Sequence, residues 1–364
     1  MTFAEFMRHV LYCPIYGYYE QSKDRIGREG DFYTNVNIGP LFGELLAFQF
    51  AEWLREIGGN AFQLIEAGTH DGQLAADILN WFRQKRPKLF ASLTYWIVEP
   101  SPRRRAWQKE KLEHFAEQVR WSDSIDGLAE GLVNGIIFSN ELLDAMPIHR
   151  FGWDAADAHW FEWGVTLKRK NPSTSSGSQE PEEMISFEWT RLDQAADDFA
   201  PALKESGFEF PPELLAVLPH GFTIEICPEA AQWWRQAATA LKTGKLLTID
   251  YGVEAGQLIA PERSGGTLRA YSRHHATGDV LSNVGDQDLT AHVNFAQLQH
   301  IGEAAGLRTE GLFSQERFFT SVAAKTWQTE SNFGEWTSAR LKQFRTLMHP
   351  EHLGRAFRVL LQSR

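Results

Sequence analysis

The sequence predicts a mixed α/β fold built on a parallel sheet, and three observations support that prediction. Short apolar runs bounded by turn residues alternate with amphipathic stretches, which is the pattern of strands joined by crossover helices. The first run, from Phe62, ends in a glycine turn at Gly68–Gly72 and leads into a predicted helix from Gln73 toward Lys85. Later runs also end beside acidic residues, where the strand ends of such sheets face a ligand crevice.

The chain begins with a predicted helix over residues 2–12, in which Thr2 and Glu5 form a capping box. A glycine-rich, charged segment over residues 25–34 follows, and it is either a linker or a lid over the crevice. The other predicted elements are helices at 41–54, 103–115, 228–241 and 295–305, strands at 93–98, 118–121, 135–138, 222–226, 245–249, 309–313 and 317–322, antiparallel strands at 160–163 and 187–189, and a last forty residues that are mostly helix.

A chain of 364 residues predicts roughly two domains, or one domain with an insertion. Between residues 151 and 221 the alternating pattern breaks, and this insertion contains a Pro/Ser/Gly/Glu-rich loop at 171–183 and too few apolar residues for a core of its own. The predicted segments are an N-terminal helical and lid segment (1–60), the first part of a Rossmann-like core (61–150), the β-rich insertion (151–221), the second part of the core (222–325) and a C-terminal helical segment (326–364).

Composition excludes several classes of protein. An apolar fraction of 43% with 13 tryptophans excludes global disorder, and a net charge of −11 argues against nucleic acid as the main partner. Cys13 and Cys227 cannot form a disulfide framework or a cysteine-rich zinc site. No apolar run approaches the ~20 residues that span a bilayer, and no signal peptide is recognisable, so we expect no membrane insertion and a cytoplasmic location.

The glycine turn and two acids at strand ends are candidates for ligand binding. Glu66 precedes Gly68 and is expected at the mouth of the crevice, although an ordinary strand-to-helix turn explains these residues about as well. The spacing of Gly68 and Gly72 does not match the G-x-G-x-x-G motif of dinucleotide-binding folds. Glu99 ends the second strand, where an acid accepts hydrogen bonds from both hydroxyls of a ribose. The alternative is a solvent-facing acid at a strand end.

Two further groups of polar residues point to the crevice. Glu141 and Asp144 follow the fourth strand at i, i+3 spacing, which places both carboxylates on one side of a helical turn. Such a pair suits a flat guanidinium, but an ordinary helix cap has the same pattern. His292 follows Asp286 and Asp288, and because no second histidine stands at ligand spacing, we expect a polar pocket wall and no metal site.

Short motifs in a fixed order along nearly the whole chain resemble the MidA-type, complex I assembly factor seven-like family of class I S-adenosylmethionine-dependent methyltransferases. The motifs are Gly17-Tyr18-Tyr19, Arg28–Thr34, Pro40–Gly43, Glu66–Gly68, Val98–Ser101, Asn140–Pro147, Asp250-Tyr251-Gly252, Gly266–Tyr271 and Asp288–Val293. The resemblance implies a class I methyltransferase fold with helices on both faces of the sheet, S-adenosyl-L-methionine as cofactor and a protein substrate. The mitochondrial member of the family dimethylates an arginine of a respiratory complex I subunit.

The resemblance also implies roles for individual residues. Glu66, Gly68 and Gly72 would cradle the methionine part of the cofactor, Glu99 its ribose and Asp123 its adenine. The full set of implied cofactor-binding residues is Gly30, Thr34, Glu66, Gly68, Gly72, Glu99, Asp123 and Asn140, and the residues implied at the reacting centre are Glu141, Asp144 and His292.

One position departs from the family pattern, because His70 stands where members usually have glycine. We predict that His70 points away from the cofactor. Two alternatives to methyl transfer stay open at this point. One is a non-catalytic assembly factor whose cofactor site His70 has spoiled. The other, a nicotinamide-dependent dehydrogenase, is disfavoured by the missing G-x-G-x-x-G motif.

Overall fold

A computed structural model of the chain describes residues 1–21, 34–128, 132–170, 184–192, 196–253, 255–272, 275–328 and 330–364. Its helices are α1 (Phe3–Tyr12), α2 (Tyr18–Gln21), α3 (Leu41–Ile57), α4 (Gln73–Lys85), α5 (Pro87–Ala91), α6 (Pro102–Lys111), α7 (Ala196–Glu205), α8 (Pro212–Leu215), α9 (Pro228–Ala240), α10 (Ala255–Leu258), α11 (Phe295–Ala304), α12 (Gln315–Gln328), α13 (Glu330–Phe333) and α14 (Ser338–Leu347). Its strands are β1 (Phe62–Ala67), β2 (Leu93–Val98), β3 (Val119–Ser122), β4 (Val133–Asn140), β5 (His149–Asp154), β6 (His159–Lys170), β7 (Met184–Leu192), β8 (Thr223–Ile226), β9 (Leu241–Val253), β10 (Arg269–Ser272), β11 (His275–Thr277), β12 (Asp288–Thr290), β13 (Val293–Asn294), β14 (Arg308–Ser314) and β15 (Phe357–Ser363).

The chain forms two compact units. The first contains residues 1–21, 145–228 and 255–291, and the second contains residues 22–144, 229–254 and 292–364. The predicted loop 171–183 and residues 25–33 of the predicted lid lie outside the described residues.

The second unit is built on a mainly parallel sheet with the strand order β14-β15-β9-β4-β1-β2-β3. Strands β1, β2, β3, β4 and β9 run parallel, whereas β15 runs antiparallel to both β9 and β14. The short strand β13 pairs with the end of β9. Strands β1 and β4 are buried at every position but one, as expected of a parallel sheet that is covered on both faces. The predicted α/β class, with a parallel sheet between helices, is confirmed.

Helices α3 and α4 help to build the core of this unit. Helix α3 is apolar around most of its circumference, with twelve buried residues, as expected of a helix in the interior of a large core. Phe50 of α3 packs on Phe138 of β4, with ring centroids 5.0 Å apart. Helix α4 begins at the glycine turn and buries Leu74, Ile78 and Phe82. This packing anchors the turn between β1 and α4.

The first unit holds two antiparallel sheets, ordered β7-β6-β5-β8 and β11-β10-β12. Helix α1 packs on the first of these sheets, with Phe3 against Trp189 at 5.1 Å and Phe6 against Phe187 at 5.2 Å between ring centroids. Its predicted capping box between Thr2 and Glu5 is present. The inserted strands therefore bury their apolar face under a helix from the start of the chain, which supplies the apolar residues that the insertion lacks.

One correctly predicted strand belongs to the other unit, and two further assignments are wrong. The run at 222–226 was assigned to the core, but β8 pairs antiparallel with β5 in the first unit. Residues 317–322 lie in α12, where Phe318, Phe319 and Val322 are buried at helical spacing. The strand that completes the sheet is β15, within the predicted C-terminal helical segment. The periodicity of a short apolar run does not distinguish a strand from a buried helix. For this reason residues 317–322 and the segment that contains β15 were both misassigned.

In the part of the chain that the structure describes, no helix combines the length and the apolar character needed to cross a membrane.

Candidate active site

The turn between β1 and α4 requires glycine at two positions. Gly68 has φ +79° and Gly72 has φ +93°, a left-handed conformation that side chains rarely adopt. A Cβ at Gly68 would lie 3.0 Å from Cδ1 of Leu142, so a side chain there would press on the loop after β4. Glycine is therefore required by conformation at both positions and by contact with Leu142 at Gly68. The turn lies at the carboxyl end of the sheet, where ligands bind in folds of this kind.

His70 occupies a third left-handed position in this turn, with φ +48°. Its imidazole lies toward helix α6, with its ring centroid 6.3 Å from that of Trp107 and Nδ1 3.9 Å from a carboxylate oxygen of Asp71. The conformation explains why glycine suits this position. Whether the imidazole affects cofactor binding stays a prediction.

Glu66 does not stand at an open crevice mouth, because its side chain is only 2% exposed. The hydroxyl of Tyr95, from the neighbouring strand β2, donates a hydrogen bond to its carboxylate. Burial raises the pKa of Glu66 from its ordinary value of 4.5 to about 8, although the bond from Tyr95 acts in the opposite direction. The carboxyl group is therefore protonated at neutral pH and lies beneath the turn. Its role toward the methionine part stays a prediction.

Glu99 directly follows β2, and its carboxylate is buried and fixed. Oε1 accepts hydrogen bonds from the main-chain N–H of Ser101 at 2.8 Å and from Nε of Arg104 at 3.0 Å. Oε2 accepts a bond from Nε2 of Gln108 at 3.3 Å. A buried carboxyl group held by several donors at a strand end fits a role as hydrogen-bond acceptor for a ribose.

Asp123 follows β3 and is mostly exposed. Its carboxylate is paired with the guanidinium of Arg105 on helix α6. This places Asp123 at the same edge of the sheet as Glu99, two strands from β1. Its predicted contact with adenine stays a prediction.

Asn140 ends β4, the loop after it carries Glu141 and Asp144, and Asp250 of β9 holds this loop. The buried carboxylate of Asp250 accepts main-chain N–H bonds from Leu142 at 3.2 Å and Leu143 at 2.8 Å. Burial raises the pKa of Asp250 from 3.8 to about 7, while these N–H bonds lower it. Sequence reasoning missed this role, although the acid in Asp250-Tyr251-Gly252 marked the position.

The prediction that Glu141 and Asp144 share a helical turn is wrong. Glu141 has φ +51°, so the residues after β4 do not continue as a helical turn. The i, i+3 spacing of Glu141 and Asp144 therefore does not place both carboxylates on one helix face. Both residues still lie at the carboxyl end of β4, where Glu141 is half-buried and Asp144 is buried.

A buried polar network connects this loop to residues near the start of the second unit. The main-chain N–H of Asn35 donates to Oε1 of Glu141 at 3.0 Å, and its side-chain amide donates to Asn140 at 3.2 Å. Gln315 of α12 donates in turn to Asn35 at 2.7 Å. Neither Asn35 nor Gln315 stood out in the sequence, because their contacts span more than a hundred residues.

Thr34 lies beside this network, and its hydroxyl donates a hydrogen bond to the side chain of Asn37 at 2.5 Å. Gly30, the other residue of this segment predicted to bind the cofactor, lies outside the described residues. The cofactor roles of both stay predictions.

The predicted constellation around His292 is divided between the two units. Asp288 belongs to the first unit, where it is buried and accepts a hydrogen bond from the hydroxyl of Tyr19 at 2.7 Å. Asp286 belongs to the same unit. His292 belongs to the second unit and precedes β13, whose Val293 pairs with Gly252 at the end of β9. His292 therefore lies at the carboxyl edge of the parallel sheet, and its catalytic role stays a prediction.

In the first unit, a group of two acids and one histidine has the composition of a metal site. Ligand atoms of Asp154, Asp157 and His159 all lie within 4.8 Å of one another. The guanidinium of Arg191, however, is paired with Asp154 and lies 2.6 Å from Nε2 of His159. A fixed cation already occupies Asp154 and His159, so we assign no metal to this group.

These features together fit S-adenosylmethionine. A glycine turn in the left-handed conformation follows the first strand, a buried acid follows the second, and a polar loop follows the fourth. Gly68 and Gly72 would admit the methionine part, and Glu99 would hold the ribose. The strand order, with β15 antiparallel beside β9, is that of class I S-adenosylmethionine-dependent methyltransferases.

Comparison with known proteins identifies the family. Residues 45–313 match a family described as "Putative S-adenosyl-L-methionine-dependent methyltransferase", and the chain belongs to this family. Protein arginine methyltransferase NDUFAF7, mitochondrial, of Homo sapiens is 28% identical over 390 residues, covering 98% of this chain and 78% of that protein. The Danio rerio protein of the same name is 26% identical, covering 98% of this chain and 82% of its own.

A solved structure supports the same assignment. A protein of Burkholderia thailandensis crystallised with S-adenosyl-homocysteine has a TM-score of 0.78 and 28% identity, covering 100% of this chain and 88% of that chain. The resemblance drawn from the motifs is therefore confirmed. The chain is an S-adenosylmethionine-dependent methyltransferase.

Proposed function

We propose that the enzyme transfers a methyl group to a guanidinium nitrogen of an arginine in a protein substrate. The observation that carries the proposal is the acidic loop Glu141–Asp144, which follows β4 at the same sheet edge as the glycine turn and Glu99. Carboxylates are the natural partners of a guanidinium, which presents its N–H donors in a flat fork. Relatives that align with 98% of the chain carry the name protein arginine methyltransferase, which supports the same substrate class.

The residues of this chain have separate tasks in the proposed reaction. When bound, S-adenosylmethionine supplies an electrophilic methyl group on a sulfonium. Gly68 and Gly72 allow the cofactor to approach the backbone, and Glu99 fixes its ribose. Glu141 and Asp144 bind the guanidinium and orient one nitrogen toward the methyl group. Such alignment provides most of the rate acceleration in an in-line transfer.

A proton must also leave the attacking nitrogen, because the product guanidinium carries the same charge as the substrate. A carboxylate of the acidic loop accepts this proton as the new N–C bond forms. The main-chain N–H of Asn35 holds Oε1 of Glu141 at 3.0 Å, so the loop meets the substrate in a fixed geometry. Preorganisation of this kind limits the reorganisation required at the moment of reaction.

For the substrate itself, we propose a subunit of respiratory complex I or an equivalent protein. This follows the family resemblance, in which the mitochondrial member modifies an arginine of such a subunit.

The proposal is tested by mass spectrometry of methyl-arginine in cells with and without this protein. We expect at least one arginine whose methylation disappears in cells that lack it. The purified enzyme with S-adenosylmethionine should restore the modification on the unmethylated protein.

The same mass spectrometry, together with titration of S-adenosylhomocysteine, separates methyl transfer to arginine from the assembly-factor alternative. Binding of S-adenosylhomocysteine without any change in methyl-arginine would reject the arginine assignment. Methylation found on another residue type would keep the methyltransferase and replace its substrate.

A further inference from the structure

Gln108 of α6 is fully buried and uses both ends of its amide. Its Nε2 donates to the main-chain oxygen of His70 at 2.9 Å and to Oε2 of Glu99 at 3.3 Å. Its Oε1 accepts a hydrogen bond from Nε1 of Trp121 in β3 at 3.0 Å. One side chain therefore joins the glycine turn after β1, the acid after β2 and strand β3.

The two oxygens of Glu99 have different surroundings. Oε1 lies 2.8 Å from the N–H of Ser101, 3.0 Å from Nε of Arg104 and 2.9 Å from Nη2 of the same guanidinium. A carboxylate oxygen offers about two lone pairs, so these donors occupy Oε1. Among the described residues, Gln108 provides the hydrogen bond to Oε2. Oε2 is therefore the oxygen with capacity for a ribose hydroxyl.

We infer that Gln108 is a positioning residue for the cofactor. It acts by fixing Oε2 of Glu99 relative to the turn at His70. The inference depends on the ribose role of Glu99. The ribose and the methionine part of one ligand must meet Glu99 and the glycine turn at the same time. A rigid link between these two contacts keeps their separation matched to the ligand, and a loose link lowers affinity even when both contacts remain.

The chain contains a matched control at Gln362 of β15. This glutamine is also fully buried, its Nε2 donates to the main-chain oxygen of Gln299 and to Thr309, and its Oε1 accepts from Nε1 of Trp234, each at 2.9 Å. Gln362 thus has the same pattern of bonds as Gln108 without any contact to the glycine turn or Glu99. Substitutions at the two positions should cost similar stability.

The experiment compares Gln108→Met with Gln362→Met in the full chain. Urea unfolding measures stability, and calorimetric titration measures affinity for S-adenosylhomocysteine and for its 2′-deoxy analogue. We expect both variants to lose stability, and only Gln108→Met to bind S-adenosylhomocysteine at least tenfold more weakly. The wild-type preference for the ligand with the 2′-hydroxyl should shrink in Gln108→Met and persist in Gln362→Met.

A second pair, Gln108→Leu and Gln362→Leu, removes both donors and the acceptor at each position and adds no charge beside Glu99. It gives the same comparison if the methionine variants fold poorly. Equal losses of affinity at the two positions would overturn the inference, because a general loss of stability would explain them. Unchanged binding by Gln108→Met beside weakened binding by Glu99→Gln would also overturn it and leave the ribose role intact. Unchanged binding by Glu99→Gln would reject both. None of these outcomes depends on the methylated substrate.

Discussion

At the scale of single residues, the glycine turn shows how backbone conformation selects side chains. Gly68, His70 and Gly72 all have positive φ, and only His70 is not glycine. The sequence identified this turn and its departure from the family pattern. It could not show which way the imidazole points, because that direction depends on Trp107 and Asp71.

We predict that His70→Gly changes cofactor affinity by less than about threefold, since the imidazole lies toward α6 and the carbonyl that binds Gln108 is kept. Relief of the left-handed conformation gains about 1–2 kcal/mol, and the more flexible unfolded chain offsets much of it. Net stability should therefore change by less than about 1 kcal/mol. Titration with S-adenosylhomocysteine and urea unfolding test both statements. A large gain in affinity would instead show that His70 obstructs the cofactor.

Glu66 makes the free energy of unfolding depend on pH. The raised pKa of its carboxyl group decides whether stability rises or falls with pH. The unfolded carboxyl loses its proton near 4.5, whereas the folded one keeps it up to about 8. Between these values the folded state binds more protons, so stability falls as pH rises, by about 1.4 kcal/mol per pH unit for one proton.

We therefore predict that Glu66→Gln, which stays neutral and still accepts a bond from Tyr95, stabilises the protein more at pH 8 than at pH 5. The difference between the two pH values should be on the order of 3 kcal/mol. Urea unfolding at both pH values measures it, with the exposed Glu113→Gln as control. A gain that is the same at pH 5 and pH 8 would mean that Glu66 is ionised throughout in the folded protein.

At the scale of elements, prediction succeeded where local signals bound an element and failed where contacts between distant segments form it. Helix α4 begins and ends at Gln73 and Lys85 as predicted, because a glycine turn marks its start and apolar spacing marks its extent. Strand β15 was missed, because a seven-residue segment carries little periodicity and this one becomes a strand through its pairing with β9. The position of the loop after β4 was predicted, but its backbone conformation was not. That conformation depends on Asp250, which lies in β9, 107 residues after Leu143.

The acidic loop gives the next prediction. Glu141→Gln and Asp144→Asn keep shape but remove charge, and a hydrogen bond between charged partners is roughly twice as strong as a neutral one. They also remove the candidate proton acceptors, a loss typically worth 10²–10⁴-fold in rate. We expect methyl transfer to the identified arginine to fall by about 100-fold or more. Affinity for S-adenosylhomocysteine should stay within about threefold of wild type.

Radiometric methyl transfer and calorimetric titration on the same samples test this prediction, with the exposed Glu117→Gln as control. A double variant with wild-type turnover would reject the guanidinium-binding role. Loss of cofactor affinity would instead assign these carboxylates to the cofactor side of the site.

At the scale of the whole molecule, the chain order does not follow the two compact units. The chain alternates between them at residues 22, 145, 229, 255 and 292. Sequence pattern located the insertion, because alternation of strand and helix stops there. It could not show that α1 and residues 255–291 belong with the inserted strands, because that grouping depends on contacts between distant segments such as Phe3 with Trp189.

The central sheet of the second unit depends on a line of close backbone contacts, and this yields the last prediction. Gly135 of β4 pairs with Gln63 of β1 and with Gly244 of β9. A Cβ at Gly135 would lie 2.0 Å from the main-chain oxygen of Gln63, and one at Gly244 would lie 1.8 Å from that of Gly135. Both glycines also have positive φ, +152° and +139°. A methyl group at either position would force apart strands that the rest of the sheet holds together.

We predict that Gly135→Ala costs more than about 4 kcal/mol, the range in which single substitutions act through backbone strain and overpacking. Gly278→Ala is the control, because no atom of the described residues lies within 4 Å of its added Cβ. Urea unfolding followed by circular dichroism measures both, and refolding from urea covers the case in which Gly135→Ala accumulates in insoluble form. If Gly135→Ala unfolds at the wild-type midpoint, β1, β4 and β9 do not pair in this register. The carboxyl ends of these strands, and with them the glycine turn and the acidic loop, would then have to be placed anew.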